Sequence, residues 1–302
     1  MKILITGSTG LIGSALVPFL KDKGHTAIGL SRNASDSSNI PNWNPMTGTI
    51  SPAALEGADT VIHLAGANIA DKRWTAARKE QIRTSRVNST RHLSEALVLA
   101  PNQPKNLIVA SAIGFYGERG DTQLDESYPA GIGFLPEVCQ EWEEASKPVK
   151  HTDIRVVNLR IGIVLTPNGG ALGRMLLPFK IGIGGVLGTG TQYMSWITLD
   201  DLLEVFLHIL TTTALTGPVN AVSPYPVTNH EFTKALGAVL QRPTILPMPG
   251  MVAKLAFGEM ADMLLLASTR VLPVKLNQSS FKFKYPTLEE ALRQILHRPA
   301  KT

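Results

Sequence analysis

The sequence predicts an α/β fold, a doubly wound parallel sheet followed by a smaller and mostly helical C-terminal part. Short β-rich runs alternate with helical stretches through the first half of the chain, as in parallel strands joined by right-handed crossovers. From Asn229 onward helical patterns dominate. Hydrophobic residues make up 44% of the 302 residues and charged residues 18%, which is typical of a folded globular chain.

The individual elements are predicted from local composition and apolar spacing. Strands are expected, in chain order, at KILIT, HTAIGLS, the apolar and buried ADTVIHLAGA, NLIVASAIGFYG, IRVVNLRIGIVL and GPVNAVSP. Helices are expected at SALVPFLKDKG, which Gly24 ends, at the long amphipathic TAARKEQIRTSRVNSTRHLSEALVLA, and at FLPEVCQEWEEASK, NHEFTKALGAVL and TLEEALRQIL. Asp200 and Asp201 are expected to cap the helix that follows SWIT.

The composition of the chain changes after Thr166, where glycine becomes frequent, and the glycine-rich IGIGGVLGTG predicts a loop. We therefore predict a sheet domain over residues 1–165, completed by about residues 196–223. Residues 166–195 and 224–302 would form the smaller domain. That domain is predicted to cap the open edge of the sheet, where doubly wound folds bind their ligands.

Composition argues against several classes of protein. The net charge is +5 with no basic run, which does not favour nucleic-acid binding. The single cysteine, Cys139, allows no intrachain disulfide, and the histidines share no metal-ligand spacing with the acids. Three early glycines interrupt the N-terminal apolar run, and MVAKLAFGEMADMLLLAS is too polar for a membrane span. We expect a cytoplasmic protein without a metal.

A glycine-rich loop, Gly7-x-x-Gly10-x-x-Gly13, follows the first strand and opens the first helix. In a Rossmann-type fold the first glycine allows a tight turn, the second lets the backbone approach a pyrophosphate, and the third allows close packing. The helix N-terminus then offers free N–H groups to the phosphates. The residues expected to bind the cofactor here are Gly7, Thr9, Gly10, Leu11, Ile12 and Gly13.

The tip of the second strand indicates which dinucleotide is bound. A carboxylate at this place accepts a hydrogen bond from a ribose 2′-hydroxyl, whereas an arginine accommodates a 2′-phosphate. Here the tip carries Ser31 and Arg32, and the first acid is Asp36. The arginine fork and the serine hydroxyl favour NADP(H) over NAD(H). The alternative is a solvated surface arginine.

With these residues the chain resembles the extended and atypical short-chain dehydrogenase/reductase superfamily, and most closely its YfcH-type branch, the "epimerase family protein" group. The resemblance spans nearly the whole chain. It is carried by TGSTGLIG, VIHLAGANI, RWTAARKEQIRTSRVNST, SAIGFYG, LLPFKIGIGGVLGTGTQYMSWITLDDL, VNAVSPYPVTNHEF and RVLPVKLNQSSFKFKYPTLEEAL.

The resemblance implies further cofactor contacts. The backbone at the end of the strand ADTVIHLAGA is expected beside adenine and ribose, at Leu64, Ala65 and Gly66. On the long helix, Arg86 would contact phosphate and Glu80 would accept a hydrogen bond from adenine, unless both are surface residues in a salt bridge. Asn88 matches a helix asparagine that serves a proton relay or a kink in relatives.

The catalytic residues depart from the family pattern of a Ser or Thr, a Tyr, and a Lys four residues later. Phe134 stands at the Tyr position, Val138 at the Lys position and Ala112 at the hydroxyl position, with Ser111 one residue early. No Tyr in the chain has a Lys four residues later. The standard triad, in which the Lys lowers the pKa of the Tyr phenol, is therefore missing.

The groups left near the expected site are Ser111, Tyr116, Glu137 and Glu143. An unassisted Tyr, with a pKa of about 10, is a poor base but a usable acid. We therefore predict a reduction that uses hydride from NADPH and a proton from Tyr116 or from water, with Ser111 at both the catalytic and the cofactor site. The alternative for Tyr116 is a packing aromatic. His63, inside a β run, is expected to be a core histidine.

The sequence thus predicts an NADP(H)-binding reductase or nucleoside-sugar epimerase-like oxidoreductase that acts on an unknown small molecule. A different class of protein remains open, namely a catalytically silent NADP(H)-binding protein that senses redox state or regulates a partner. A true epimerase ranks third, because taking a hydride from an alcohol needs the missing base. We expect a monomer or a homodimer that binds neither nucleic acid nor membrane.

Overall fold

The structure is a computed structural model, and it describes residues 1–30, 43–50 and 52–297. The main sheet has six strands in the order β10-β6-β4-β3-β1-β2, and the register is parallel from β2 through β1 and β3 to β4. Its strands are β1 (Lys2–Thr6), β2 (Thr26–Gly29), β3 (Thr60–His63), β4 (Asn106–Ala112), β6 (Arg155–Ile161) and β10 (Gly217–Ala221). Because β2 and β3 lie on opposite sides of β1, the strand order reverses at β1. Doubly wound sheets bind their ligands at such a reversal.

The helices alternate with these strands and then dominate the C-terminal part. They are α1 (Gly13–Asp22), α2 (Pro52–Leu55), α3 (Ala76–Val98), α4 (Phe134–Glu144), α5 (Gly170–Lys180), α6 (Leu199–Thr211), α7 (Asn229–Leu240), α8 (Gly250–Phe257), α9 (Val274–Gln278) and α10 (Leu288–His297). Short 3-10 turns lie at Ile113–Phe115 and Lys147–His151, and a π-helical turn lies at Ala261–Leu266. No helix in the described ranges is long and apolar enough to cross a membrane.

Three further strand pairs are short. They are β7 (Ile163–Leu165) with β9 (Trp196–Thr198), β8 (Tyr193–Met194) with β11 (Val227–Thr228), and β5 (Gln123–Leu124) with β12 (Arg270–Val271). Apolar side chains from β7, α5, β9, α7 and α10 pack into one buried cluster. Its buried members are Leu165, Leu172, Leu176, Phe179, Trp196, Phe232, Leu236, Val239, Leu288, Ala291 and Leu292.

The chain packs into two compact units. The first comprises Met1–Ser111, Glu137–Arg160 and Ile209–Val219, and the second comprises Ala112–Pro136, Ile161–His208 and Asn220–Thr302. The second unit thus includes residues 112–136, which lie within the predicted sheet domain of residues 1–165. The binding roles predicted for the sheet domain and the cap remain predictions.

The predicted strands and helices are confirmed, with ends that differ by a few residues, except for the run IRVVNLRIGIVL. This run is divided at Gly162 into β6 and β7, which belong to different sheets. The predicted capping of α6 by Asp201 is different in the structure. The capping hydroxyl belongs to Thr198, and it accepts a hydrogen bond from the Asp201 N–H over 3.0 Å. The Asp201 carboxylate instead accepts from the N–H groups of Lys284 and Tyr285 over 2.7 and 3.2 Å. Asp201 therefore fixes the segment before α10 to the start of α6.

Candidate functional site

The glycine loop is held against the end of β3 by backbone contact. Gly7 has a φ of +67°, and a Cβ at this position would lie 2.8 Å from the carbonyl carbon of Leu64. A Cβ on Gly13 would lie 2.3 Å from the Gly7 oxygen. Both positions therefore require glycine, which lets the turn, the first helix and β3 converge.

The N-terminus of α1 is open. Ile12 precedes the helix and no side chain caps it. Thr9 and Gly10, at the tip of the loop, are exposed. Uncapped N–H groups and the positive end of the helix dipole form a suitable site for an anionic group.

The end of β3 lies level with the ends of its neighbours, because Thr6, His63 and Val109 share one register row. The next residues, Leu64 to Gly66, leave the sheet at its carboxyl edge. Ser85 of α3 holds this segment, accepting a hydrogen bond from the Ala67 N–H over 3.0 Å. The predicted cofactor segment is thus placed beside the glycine loop.

Arg86 covers this segment from α3. A Cβ on Gly66 would lie 3.4 Å from both Cγ and Cζ of Arg86, so glycine leaves room for the guanidinium. The guanidinium carbon lies 5.1 Å from the ring centre of Trp142, and Nη1 donates to the Ile82 oxygen over 3.1 Å. Desolvation by burial is the main cause that lowers the pKa of Arg86 to about 10. No carboxylate pairs with Arg86 among the described residues, so this partly buried cation has its charge available for a ligand.

The other predicted cofactor residues are placed differently. Glu80 and Asn88 are exposed on α3, and the helix continues unbroken through Asn88. Glu80 and Arg86 do not form the surface salt bridge considered as an alternative. Ser31 and Arg32 lie outside the described residues, so their predicted contact with a 2′-phosphate stays a prediction.

His63 is confirmed as a core histidine, fully buried beneath this edge of the sheet. Its Nδ1 lies 2.7 Å from Thr6 Oγ1, and its Nε2 lies 3.2 Å from Ser89 Oγ. Ser89 Oγ donates its own proton to the Ser85 oxygen over 2.7 Å, so it accepts a hydrogen bond from Nε2–H, and Nδ1 accepts from the Thr6 hydroxyl. Burial lowers the pKa of His63 to about 4, so the ring is neutral at pH 7.

Ser111 belongs to a buried charged network. Its hydroxyl donates to Glu143 Oε1 over 2.8 Å. Arg160 binds the same carboxylate with Nε and Nη2, each over 2.8 Å, and the Arg160 side chain is only 4% exposed. Because the Ser111 proton is committed to Glu143, the geometry does not favour a catalytic role for Ser111. Sequence reasoning missed Arg160, and the signal was an arginine inside the apolar run IRVVNLRIGIVL.

Tyr116 has a packing environment. The residue is fully buried, and its hydroxyl lies 2.8 Å from Asn220 Oδ1 and 3.0 Å from the Asp125 oxygen. This is the arrangement that the packing alternative predicts, and it speaks against a direct role as proton donor. Phe134 and Val138, at the family's Tyr and Lys positions, are buried apolar residues of α4. Glu137 is largely exposed and lies 3.6 Å from Arg83.

The residues present fit the phosphates of a dinucleotide. Gly7 and Gly13 leave a backbone cradle that side chains would fill, α1 presents an uncapped N-terminus, and Arg86 supplies a cation. No group of His, Cys, Asp or Glu within residues 1–30, 43–50 and 52–297 could hold a metal ion. The doubly wound sheet and this loop define a Rossmann-type dinucleotide-binding protein, a fold that the short-chain dehydrogenase/reductase class shares.

The particular family follows from comparison with known proteins. The chain belongs to the NAD dependent epimerase/dehydratase family, which it matches over residues 3–222, and residues 248–295 match a domain of unknown function, DUF1731. The resemblance seen in the sequence is thus confirmed.

Three relatives show how far the similarity extends. An epimerase family protein of Mycobacterium bovis is 43% identical over 297 residues, with 98% of each chain covered. The human epimerase family protein SDR39U1 (isoform 2), solved with NADPH, is 32% identical with a TM-score of 0.91, covering 98% of this chain and 99% of that one. A nucleoside-diphosphate sugar epimerase from Corynebacterium glutamicum is 35% identical with a TM-score of 0.81, covering 98% of this chain and 58% of that one.

Proposed function

We propose that this protein binds NADP(H) and acts as an NADPH-dependent reductase of a small molecule. The observation that carries the cofactor part of the proposal is the partly buried cation of Arg86 beside Gly66, next to the glycine loop. Arg32, in place of a carboxylate at the tip of the second strand, supports NADP(H) over NAD(H). The similar human protein solved with NADPH supports the same cofactor.

The missing base favours reduction of a substrate over its oxidation. Oxidation of an alcohol, which epimerisation requires, needs a group that takes the hydroxyl proton. Phe134 and Val138 offer no such group where the family has Tyr and Lys. Bound NADPH supplies a hydride, and reduction then needs only a proton source. This favours a reductase over a true epimerase.

The chain's own residues have separate tasks in this proposal. The α1 N-terminus and Arg86 bind phosphate, and the backbone from Leu64 to Gly66 positions the nucleotide. The proton comes from water or from Tyr116, and the buried, hydrogen-bonded hydroxyl of Tyr116 favours water. Ser111, whose hydroxyl donates to Glu143 of the Glu143–Arg160 pair, has no direct part in the proton transfer.

A catalytically silent, NADP(H)-binding regulatory protein is the second candidate. It is favoured by one observation, that the hydroxyls of both Ser111 and Tyr116 are engaged in buried hydrogen bonds. This candidate shares the cofactor site with the reductase and differs from it only in lacking turnover.

The test is loss of reduced-nicotinamide absorbance when the protein meets NADPH and a panel of ketones, enones and quinones. Turnover with any of these substrates supports the reductase, whereas tight NADPH binding without oxidation overturns it in favour of the regulatory protein. We expect Tyr116→Phe to retain turnover within a few-fold, with Tyr128→Phe, at a partly exposed tyrosine, as the control. A collapse in Tyr116→Phe alone would assign the proton to Tyr116.

A further inference from the structure

We propose that Arg78 and Arg86 form one cationic site that binds the diphosphate bridge of the dinucleotide, and that this site does not read the 2′-phosphate. The inference rests on the proposed function, since it names the part of the cofactor that this helix binds. It assigns a binding role to Arg78. In this proposal the arginines of α3 determine the affinity for the dinucleotide, whereas the tip of β2 determines the preference for NADP(H) over NAD(H).

Arg78 lies in the first turn of α3 and reaches the segment after β3. Its Nη2 donates to the Asn68 oxygen, and its Nη1 donates to Gln81 Oε1 over 2.6 Å. Its Nε is buried and has no hydrogen-bond partner among the residues that the structure describes. A buried donor without an acceptor is costly, and the Arg78 side chain would satisfy it by turning toward a bound oxyanion.

Arg86 folds back along the helix toward Arg78. Its Nη1 bonds the oxygen of Ile82, one turn nearer the start of α3. The charge of Arg78 is one of the causes that lower the pKa of Arg86, after desolvation, so the two guanidinium groups repel each other. Neither pairs with a carboxylate in residues 1–30, 43–50 and 52–297. An anion between them would relieve this repulsion.

The position of Arg78 and Arg86 indicates that they bind the diphosphate and not the 2′-phosphate. Gly66, beside Arg86, is one residue from Ala65, whose N atom would lie 2.9 Å from a Cβ on Gly7 of the phosphate loop. The 2′-phosphate is instead expected at the end of β2, on the other side of β1. With strands spaced by about 4.8 Å, the ends of β2 and β3 are about 10 Å apart, too far for one phosphate to serve both.

The experiment measures dissociation constants by calorimetry for four probes, NADPH, NADH, ADP-ribose and adenosine 2′-monophosphate. The variants are Arg78→Met and Arg86→Met, with Arg86→Lys to restore charge without the fork. Arg83→Met is the matched control, because Arg83 lies on the same helix but pairs with Glu141 over 2.9 Å. Thermal unfolding of each variant checks that the fold is retained.

We expect each Met variant to weaken NADPH, NADH and ADP-ribose by about 10- to 100-fold in the same proportion, because each loses a charged hydrogen-bond donor. Binding of adenosine 2′-monophosphate, which has no 5′-phosphate and therefore no part of the diphosphate, should change much less, and Arg83→Met should bind like wild type. Unchanged affinities, or a loss confined to the 2′-phosphorylated probes, would overturn the inference. Failure of wild type to bind NADPH would instead refute the proposed function itself.

Discussion

Acidification should destabilise this protein most strongly through His63, whose pKa burial lowers to about 4. The ring is fully buried, and its pKa is lowered from 6.5 to about 4 by burial. In the unfolded chain the ring takes up a proton as the pH falls below 6.5, whereas in the folded chain it stays neutral until about pH 4. His63 therefore contributes stability above pH 6.5 that is lost progressively between pH 6.5 and 4.

The magnitude follows from the shift. At about 1.4 kcal/mol per pKa unit, the loss is about 3 kcal/mol at pH 4 and about 2 kcal/mol at pH 5. Burial raises the pKa of Glu126 and of Asp201, and these carboxyls act in the opposite sense, stabilising the folded state as the pH falls. The comparison must therefore be between wild type and a His63 variant under the same conditions.

The assay is urea unfolding at pH 7 and pH 5 of wild type, His63→Gln, and His230→Gln as an exposed control. We expect His63→Gln to be less stable at pH 7, because Thr6 and Ser89 lose well-placed partners, but to lose about 2 kcal/mol less between the two pH values. His230→Gln should keep the wild-type dependence. An unchanged dependence in His63→Gln would refute the reasoning.

Two further predictions concern buried polar groups. Arg160→Met leaves the Glu143 carboxylate buried without its guanidinium partner. Urea titration should show a loss of about 3–5 kcal/mol in the free energy of unfolding. The double variant Arg160→Met/Glu143→Leu should recover most of this loss, because it removes the buried carboxylate as well. An equal loss in the double variant would contradict this account of the pair. Asp201→Ala removes the acceptor of the Lys284 N–H and should cost about 3 kcal/mol, with faster amide exchange at Lys284. Exchange at the wild-type rate would show that Asp201 does not hold this segment.

The sequence was sufficient to predict the sheet, the glycine loop and the buried state of His63, because these depend on local patterns. Gly7 and Gly13 follow a strand and open a helix, and the observed close contacts explain why only glycine serves there. His63 lies within an apolar β run, and the run itself predicts burial.

The engagement of the candidate catalytic groups was not predictable, because their partners are remote in the chain. Tyr116 bonds Asn220, which is 104 residues away, and Ser111 bonds Glu143, which is 32 residues away. No local pattern indicates such pairs. The same holds for Arg160, which meets Glu143 only when β6 and α4 pack together.

The measurement that tests the central claim most directly is a calorimetric titration of the wild-type protein with NADPH and, separately, with NADH. The account predicts binding of both, with NADPH at least tenfold tighter because of a 2′-phosphate contact at Arg32. No binding of either dinucleotide, or NADH bound as tightly as NADPH, would contradict the account.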